Sequence, residues 1–136
     1  MRKIAIILFS FASLTACKKE VTEIQQVDQA FSAIYTLDPG GWSTSDGSIS
    51  YSTNLPIPEL DQQIQDHGGV MVYLSFNNGG TYEALPEVFD GIAYGALHTT
   101  GNVSIDLFAL DGGTITPPAA PILAKVVLID ATDLDK

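Results

Sequence analysis

Gly68-Gly69-Val70-Met71-Val72-Tyr73-Leu74-Ser75-Phe76 is the stretch that decides the fold class of this chain. Paired glycines open the run and Asn77-Asn78-Gly79-Gly80 closes it. Between them almost every position is apolar, with branched and aromatic side chains concentrated in a length too short for a buried helix. The run is therefore read as a central strand, buried on both faces, for which the other segments serve as partners.

Working outward, Glu59 to Gly68 reads as one short helix. Pro58 and early acids stand at its front, Leu60 and Ile64 are spaced for one face, and glycine ends it. Its remaining positions are polar, so it is expected to lie as a lid on one end or edge of the sheet. Further upstream, Trp42-Ser43-Thr44 and Ser48 to Thr53 flank Ser45-Asp46-Gly47, an Asp-Gly hairpin signal. Ala30 to Leu37 is a strand stopped by Asp38-Pro39-Gly40-Gly41.

Downstream, Thr81 to Ala84 is a short strand, and Pro86 interrupts pairing within Leu85 to Asp90. Gly91 to His98 and Val103 to Leu110 form a hairpin around Thr99-Thr100-Gly101-Asn102, with Val103, Ile105, Leu107 and Ala109 alternating onto one face. Ala124 to Asp130 closes the domain as a well-covered strand. The pattern predicts an all-β fold: an antiparallel β-sandwich or partly closed barrel of about seven short strands with one short helix.

The first residues carry a different message. Arg2-Lys3, an apolar run from Ile4 to Ala12 and the tail Ser13-Leu14-Thr15-Ala16 make the three parts of an export signal. Leu14-Thr15-Ala16-Cys17 resembles the lipobox of bacterial lipoproteins and uses the chain's single cysteine. The resemblance implies cleavage before Cys17, diacylglyceryl transfer to its thiol and acylation, typically by palmitate, of the new N-terminus. Several acyl chains on one residue hold firmly to a bilayer, whereas a single chain does so only marginally. The expected organisation is a signal peptide at 1–16, acylated Cys17 with a polar tether at 17–29, and a β-sandwich domain at 30–136. Lys18, rather than aspartate, after the cysteine favours the outer membrane, with the periplasmic face and the cell surface both open.

The order of an aromatic strand, a proline-led short helix, Gly68-Gly69-Val70-x-Val72-Tyr73-Leu74, Ala84-Leu85-Pro86 and a terminal Lys125-Val126-Val127-Leu128-Ile129 resembles small β-rich lipoproteins of Gram-negative bacteria. It spans roughly Phe31 to Ile129 and implies a scaffold, without site residues to transfer.

Composition narrows the partners. The chain has 16 acidic against 6 basic residues, for a formal net charge of −10. Lys125 is the single basic residue between Glu20 and Asp135. Phosphate backbones need cations to neutralise them, so nucleic acid is excluded as the expected partner, as is a basic patch for anionic lipid.

The chemistry-bearing residues read mostly as structure. His67 and His98 lack metal-site spacing, and no Gly-x-Ser-x-Gly elbow is present. Glu83, Glu87, Asp90 and Asp106 are candidates for a carboxylate pair of glycosidase type. Asp46-Gly47-Ser48 and Asp111-Gly112-Gly113 offer oxygens to calcium, but Asp-Gly is first a turn signal. Trp42, Tyr51, Tyr73, Tyr82 and Tyr94 are the pool for a sugar-stacking platform, Trp42 expected to be partly exposed and Tyr73 to be core. The sequence points to a non-enzymatic, membrane-anchored envelope lipoprotein, an accessory or interaction module meeting an envelope protein or glycan. A carbohydrate- or calcium-binding module is the alternative and a hydrolase the third reading. Beyond lipidation at Cys17, no catalytic residue, cofactor or metal ligand is assigned.

Overall fold

A computed structural model of the chain describes residues 30–132. Two four-stranded antiparallel sheets face each other as a sandwich that does not close into a barrel. The strands, numbered along the chain, are β1 (Ala30–Leu37), β2 (Ser50–Pro56), β3 (Gly69–Ser75), β4 (Glu83–Ala84), β5 (Glu87–Phe89), β6 (Ile92–Thr99), β7 (Asn102–Ala109) and β8 (Ile122–Ile129). One sheet has the order β1-β8-β3-β4 and the other β2-β7-β6-β5.

Period-2 alternation builds the core. Val103, Ile105 and Leu107 of β7 are completely buried, and Ile122, Ala124, Val126 and Leu128 of β8 meet them from the other sheet. The β6–β7 hairpin forms as its pattern predicts, with Thr99 opposite Asn102 across a tight turn in which Gly101 takes a positive φ of 79°. Residues on β3 follow the same rule, which corrects the expectation of a strand buried on both faces. Val72 and Leu74 point into the core, whereas Met71 is 43% exposed and Tyr73 half-buried on the outer face. No second layer covers the outside of this sheet among the described residues, so its apolar side chains there stand at the surface. β8 corrects the expectation of a well-covered strand in the same way, with Leu123, Lys125 and Val127 half-buried and Ile129 exposed on the outer face.

The single α-helix among the described residues, α1 (Gln62–His67), starts later than predicted because Asp61 caps it: its carboxylate accepts the Ile64 N–H at 2.9 Å. Leu60 and Ile64 anchor it in the core. Gln63 donates to the Ala131 carbonyl just beyond β8, while the Thr100 hydroxyl donates to Gln62 and His98 Nδ1 pairs with Gln65 Oε1, both from the end of the opposite sheet. The helix is thus the expected lid, tied to both sheets at one end of the sandwich.

The predicted hairpin around Asp46-Gly47 shrinks to one bridge, Ser43 with Ser52, on the side of β2 away from its partner β7. Pro86 does interrupt pairing, and the interruption is where the chain leaves one sheet and enters the other: β4 pairs with β3 and β5 with β6.

Candidate functional site

The sheet crossover at Leu85-Pro86 brings two of the four candidate carboxylates together. Glu83 pairs with core-facing Leu74 and Glu87 with core-facing Tyr94, so both lie on the core-facing side at the same edge of the sandwich, Glu83 exposed and Glu87 half-buried. Burial of the Glu87 carboxyl, with the Glu83 carboxyl within hydrogen-bonding reach and repelling its charge, pushes its pKa up to about 7. Tyr94, 4% exposed, is raised as well, first by burial and then by Glu87 and Asp90. Phe76 stacks on Phe89 with ring centres 4.3 Å apart and meets Tyr94 edge-on at 5.3 Å. Glu87 Oε1 is out of solvent contact and has no hydrogen-bond partner. A glycosidase needs both carboxyl groups flanking a scissile bond. Here the two carboxyls lie within hydrogen-bonding reach of each other, closer than the roughly 5 Å or more that such a bond requires between them. Asp90 stands only near Tyr94, and Asp106, on the outer face of the other sheet, accepts from the Ser104 hydroxyl at 3.1 Å.

A second cluster lies on the outer face of the β1-β8-β3-β4 sheet. Lys125 Nζ sits 4.7 Å from the centre of the Tyr73 ring and 4.5 Å from that of Tyr82. The ammonium is held between two π-faces, an arrangement worth about 0.5–1 kcal/mol per ring at exposed sites. The Tyr73 hydroxyl also approaches Met71 Sδ at 3.8 Å. Ile34, 58% exposed, is the β1 neighbour of Lys125, and Val127 and Ile129 continue the same face. The sequence signal for this cluster is a lone cation set in an otherwise apolar strand, which has to find a partner for its charge.

The other aromatic expectations change places. Trp42 is buried, 8% exposed, where the chain leaves the short 3₁₀ turn Pro39–Gly41 and enters the core, and its indole N–H finds no partner. Tyr73, expected in the core, is on the outer face because its position on β3 is out of phase with Val72 and Leu74. Tyr51 is half-buried and shares a 3.0 Å hydrogen bond with the Ser48 hydroxyl.

The loop aspartates act as turn residues. Asp46 accepts from the Thr44 and Ser50 hydroxyls and from the Ile49 and Ser50 backbone N–H groups. These donors, the Ser50 hydroxyl foremost, pull its pKa down to about 2. Asp111 accepts the Gly113 N–H at 2.9 Å. Among the described residues no three His, Cys, Asp or Glu side chains gather as a metal site would require. His67 ends α1, and His98 is taken up by Gln65. Cys17 and its lipobox lie outside the described residues, and no helix among those described is long and apolar enough to cross a membrane. Searches of family models, curated proteins and solved structures found no match to the chain.

Proposed function

We propose that this protein is a lipid-anchored, non-enzymatic interaction module of the bacterial cell envelope, held to the outer membrane through acylated Cys17. The observation that carries the reading is where apolar surface is left bare. Ile34, Met71 and Ile129 stand exposed beside the Tyr73–Lys125–Tyr82 cluster on one outer sheet face. Apolar area of this kind on an anchored domain suits docking to another surface better than turnover of a small substrate.

A second reading keeps a specific observation in its favour. Tyr73 and Tyr82 on either side of one ammonium offer aromatic faces to a sugar ring and a donor to its hydroxyls. Two measurements separate the readings and test the anchor. Radiolabelled palmitate should enter the chain in cells and be lost in Cys17→Ser, which should also leave the membrane fraction; retention of either overturns the anchor. Photo-crosslinkers placed at Met71 and at Ser52, on the outer faces of opposite sheets, should give adducts in intact envelopes from Met71 alone. A thermal midpoint raised by a glycan or by calcium would instead assign the ligand-binding alternative, since a ligand of the folded state stabilises it by mass action.

A further inference from the structure

The core-facing side of β1 reaches beyond its cover. Its inward residues run Leu37, Tyr35, Ala33, Phe31, opposite buried Ile122, Ala124, Val126 and Leu128 of β8. Leu37 is 2% exposed and Tyr35 half-buried, while Ala33 is exposed and Phe31 is 47% exposed. The opposing sheet therefore covers one end of the strand and leaves the other overhanging, above a groove floored by Val126 and Leu128 and walled by Ile57, with Glu59 at its rim. β1 is also the last strand of its sheet, pairing only with β8 among the described residues. Over all its length, Ala30-Phe31-Ser32-Ala33-Ile34-Tyr35-Thr36-Leu37, it contains no charge and no proline, the usual devices that keep an edge from pairing further.

Carboxylates mark the ends of this edge. Asp38 follows Leu37 directly, Asp130 follows Ile129, the partner of Ala30, and Glu59 stands on the groove. The one described cation, Lys125, is already held between Tyr73 and Tyr82. A second copy of the chain fits poorly. Antiparallel self-pairing with Ile34 against Ile34 would set Asp38 of one copy opposite Ala30 of the other, next to the strand end that carries Asp130. Like charges would meet at both ends, between molecules of net charge −10.

We propose that β1 is a docking edge for an extended polypeptide segment of a partner, apolar at alternate positions and basic at its ends, which adds as a fifth strand and lays side chains into the groove beside Phe31. The proposal rests on the interaction-module reading and gives it a site and a partner chemistry. Main-chain hydrogen bonds supply the affinity of strand addition, alternate side chains in the groove supply selectivity, and the flanking carboxylates set the polarity of charge.

The test uses the full chain purified in detergent and a fluorescent nine-residue probe of alternating valine and threonine with lysine at each end. Fluorescence anisotropy should show saturable binding that weakens with salt, and roughly tenfold weaker binding when glutamates replace the lysines. N-methylation of one alternate set of probe amides should abolish binding while methylation of the other set spares it, because only one set faces the new neighbour. Ile34→Lys, on an exposed position that leaves the core intact, should weaken the lysine-ended probe about tenfold and restore binding of the glutamate-ended one. No binding, binding indifferent to both methylation sets, or a chain that self-associates through β1 and excludes the probe would each overturn the proposal. Crosslinks from Met71 that persist after such a failure would leave the interaction-module reading standing and move the contact to the sheet face.

Discussion

The two edges of this sandwich are built on opposite principles. At one, β4 and β5 are two and three residues long, Pro86 separates them, and Glu83 and Glu87 bring their carboxyls together on the core-facing side. At the other, β1 runs eight residues with no charge, ending its sheet in an open row of backbone groups. Its companion β2 is partly covered by the Ser43–Ser52 bridge and carries Pro56 at its end. Inward-pointing charges, short strands and proline blunt an edge; β4 and β5 combine all three, whereas β1 has none of them.

The largest expected effect comes from breaking the corner that holds the open edge in place. Trp42→Ala removes a buried aromatic that the β1–β2 connection contributes to the core and should cost about 3–5 kcal/mol, read as a fall in the thermal or denaturant midpoint. Trp42→Phe should cost much less, because the loss of ring area is offset by removing an indole N–H that has no partner. If the two substitutions cost the same, the orphan donor is not a burden to the fold.

The guarded edge should reveal itself through pH. Glu87 has its folded pKa raised from 4.5 to about 7, so the folded state holds a proton that the unfolded chain gives up. Stability from this group is complete below about pH 4.5 and is lost as pH rises through about 7. With allowance for solvent around the carboxyl, the loss is on the order of 1–2 kcal/mol. Denaturant melts of Glu87→Gln should be flat across that window where the parent declines. Glu83→Gln should bring the Glu87 titration, followed by carboxyl carbon NMR, part of the way back toward its usual range. An unchanged titration would leave burial alone as the cause.

Between the edges, Lys125→Met keeps the aliphatic stem and removes the charge from the two tyrosine rings. It should destabilise by about 1 kcal/mol and should do so to the same extent at high salt, since the contact depends on ring quadrupoles more than on exposed carboxylates. The smallest effect is expected at the exposed Asp46 loop. Its depressed pKa means that its contribution is present above about pH 4 and lost as pH falls through about 2, so Asp46→Asn should differ from the parent chiefly in amide exchange at Ile49 and Ser50.

Much of this architecture was legible because local rules and tertiary structure agree. Val103, Ile105 and Leu107 alternate in the sequence and all three are buried; the turn at Gly101 and the glycine that ends α1, Gly68, fall where residue chemistry puts them. The readings that changed are those in which the sequence offers two apolar faces. Met71 and Tyr73 are as apolar as Val72 and Leu74, and alternation cannot say which pair is covered. Trp42 beside two glycines looks like a surface residue until the fold takes it into the core. Glu83 and Glu87 are no closer in sequence than many other acids, and their meeting depends on a crossover between sheets.

By itself, then, the sequence determined the all-β class, the short helix and the acidic balance, because each follows from residue chemistry acting over a few neighbours. Tertiary structure alone decided which sheet face stays bare, which edge is guarded and which carboxylates meet. Those outcomes depend on which strand lies beside which, and strand order is fixed by the packing of the whole core rather than by any one segment.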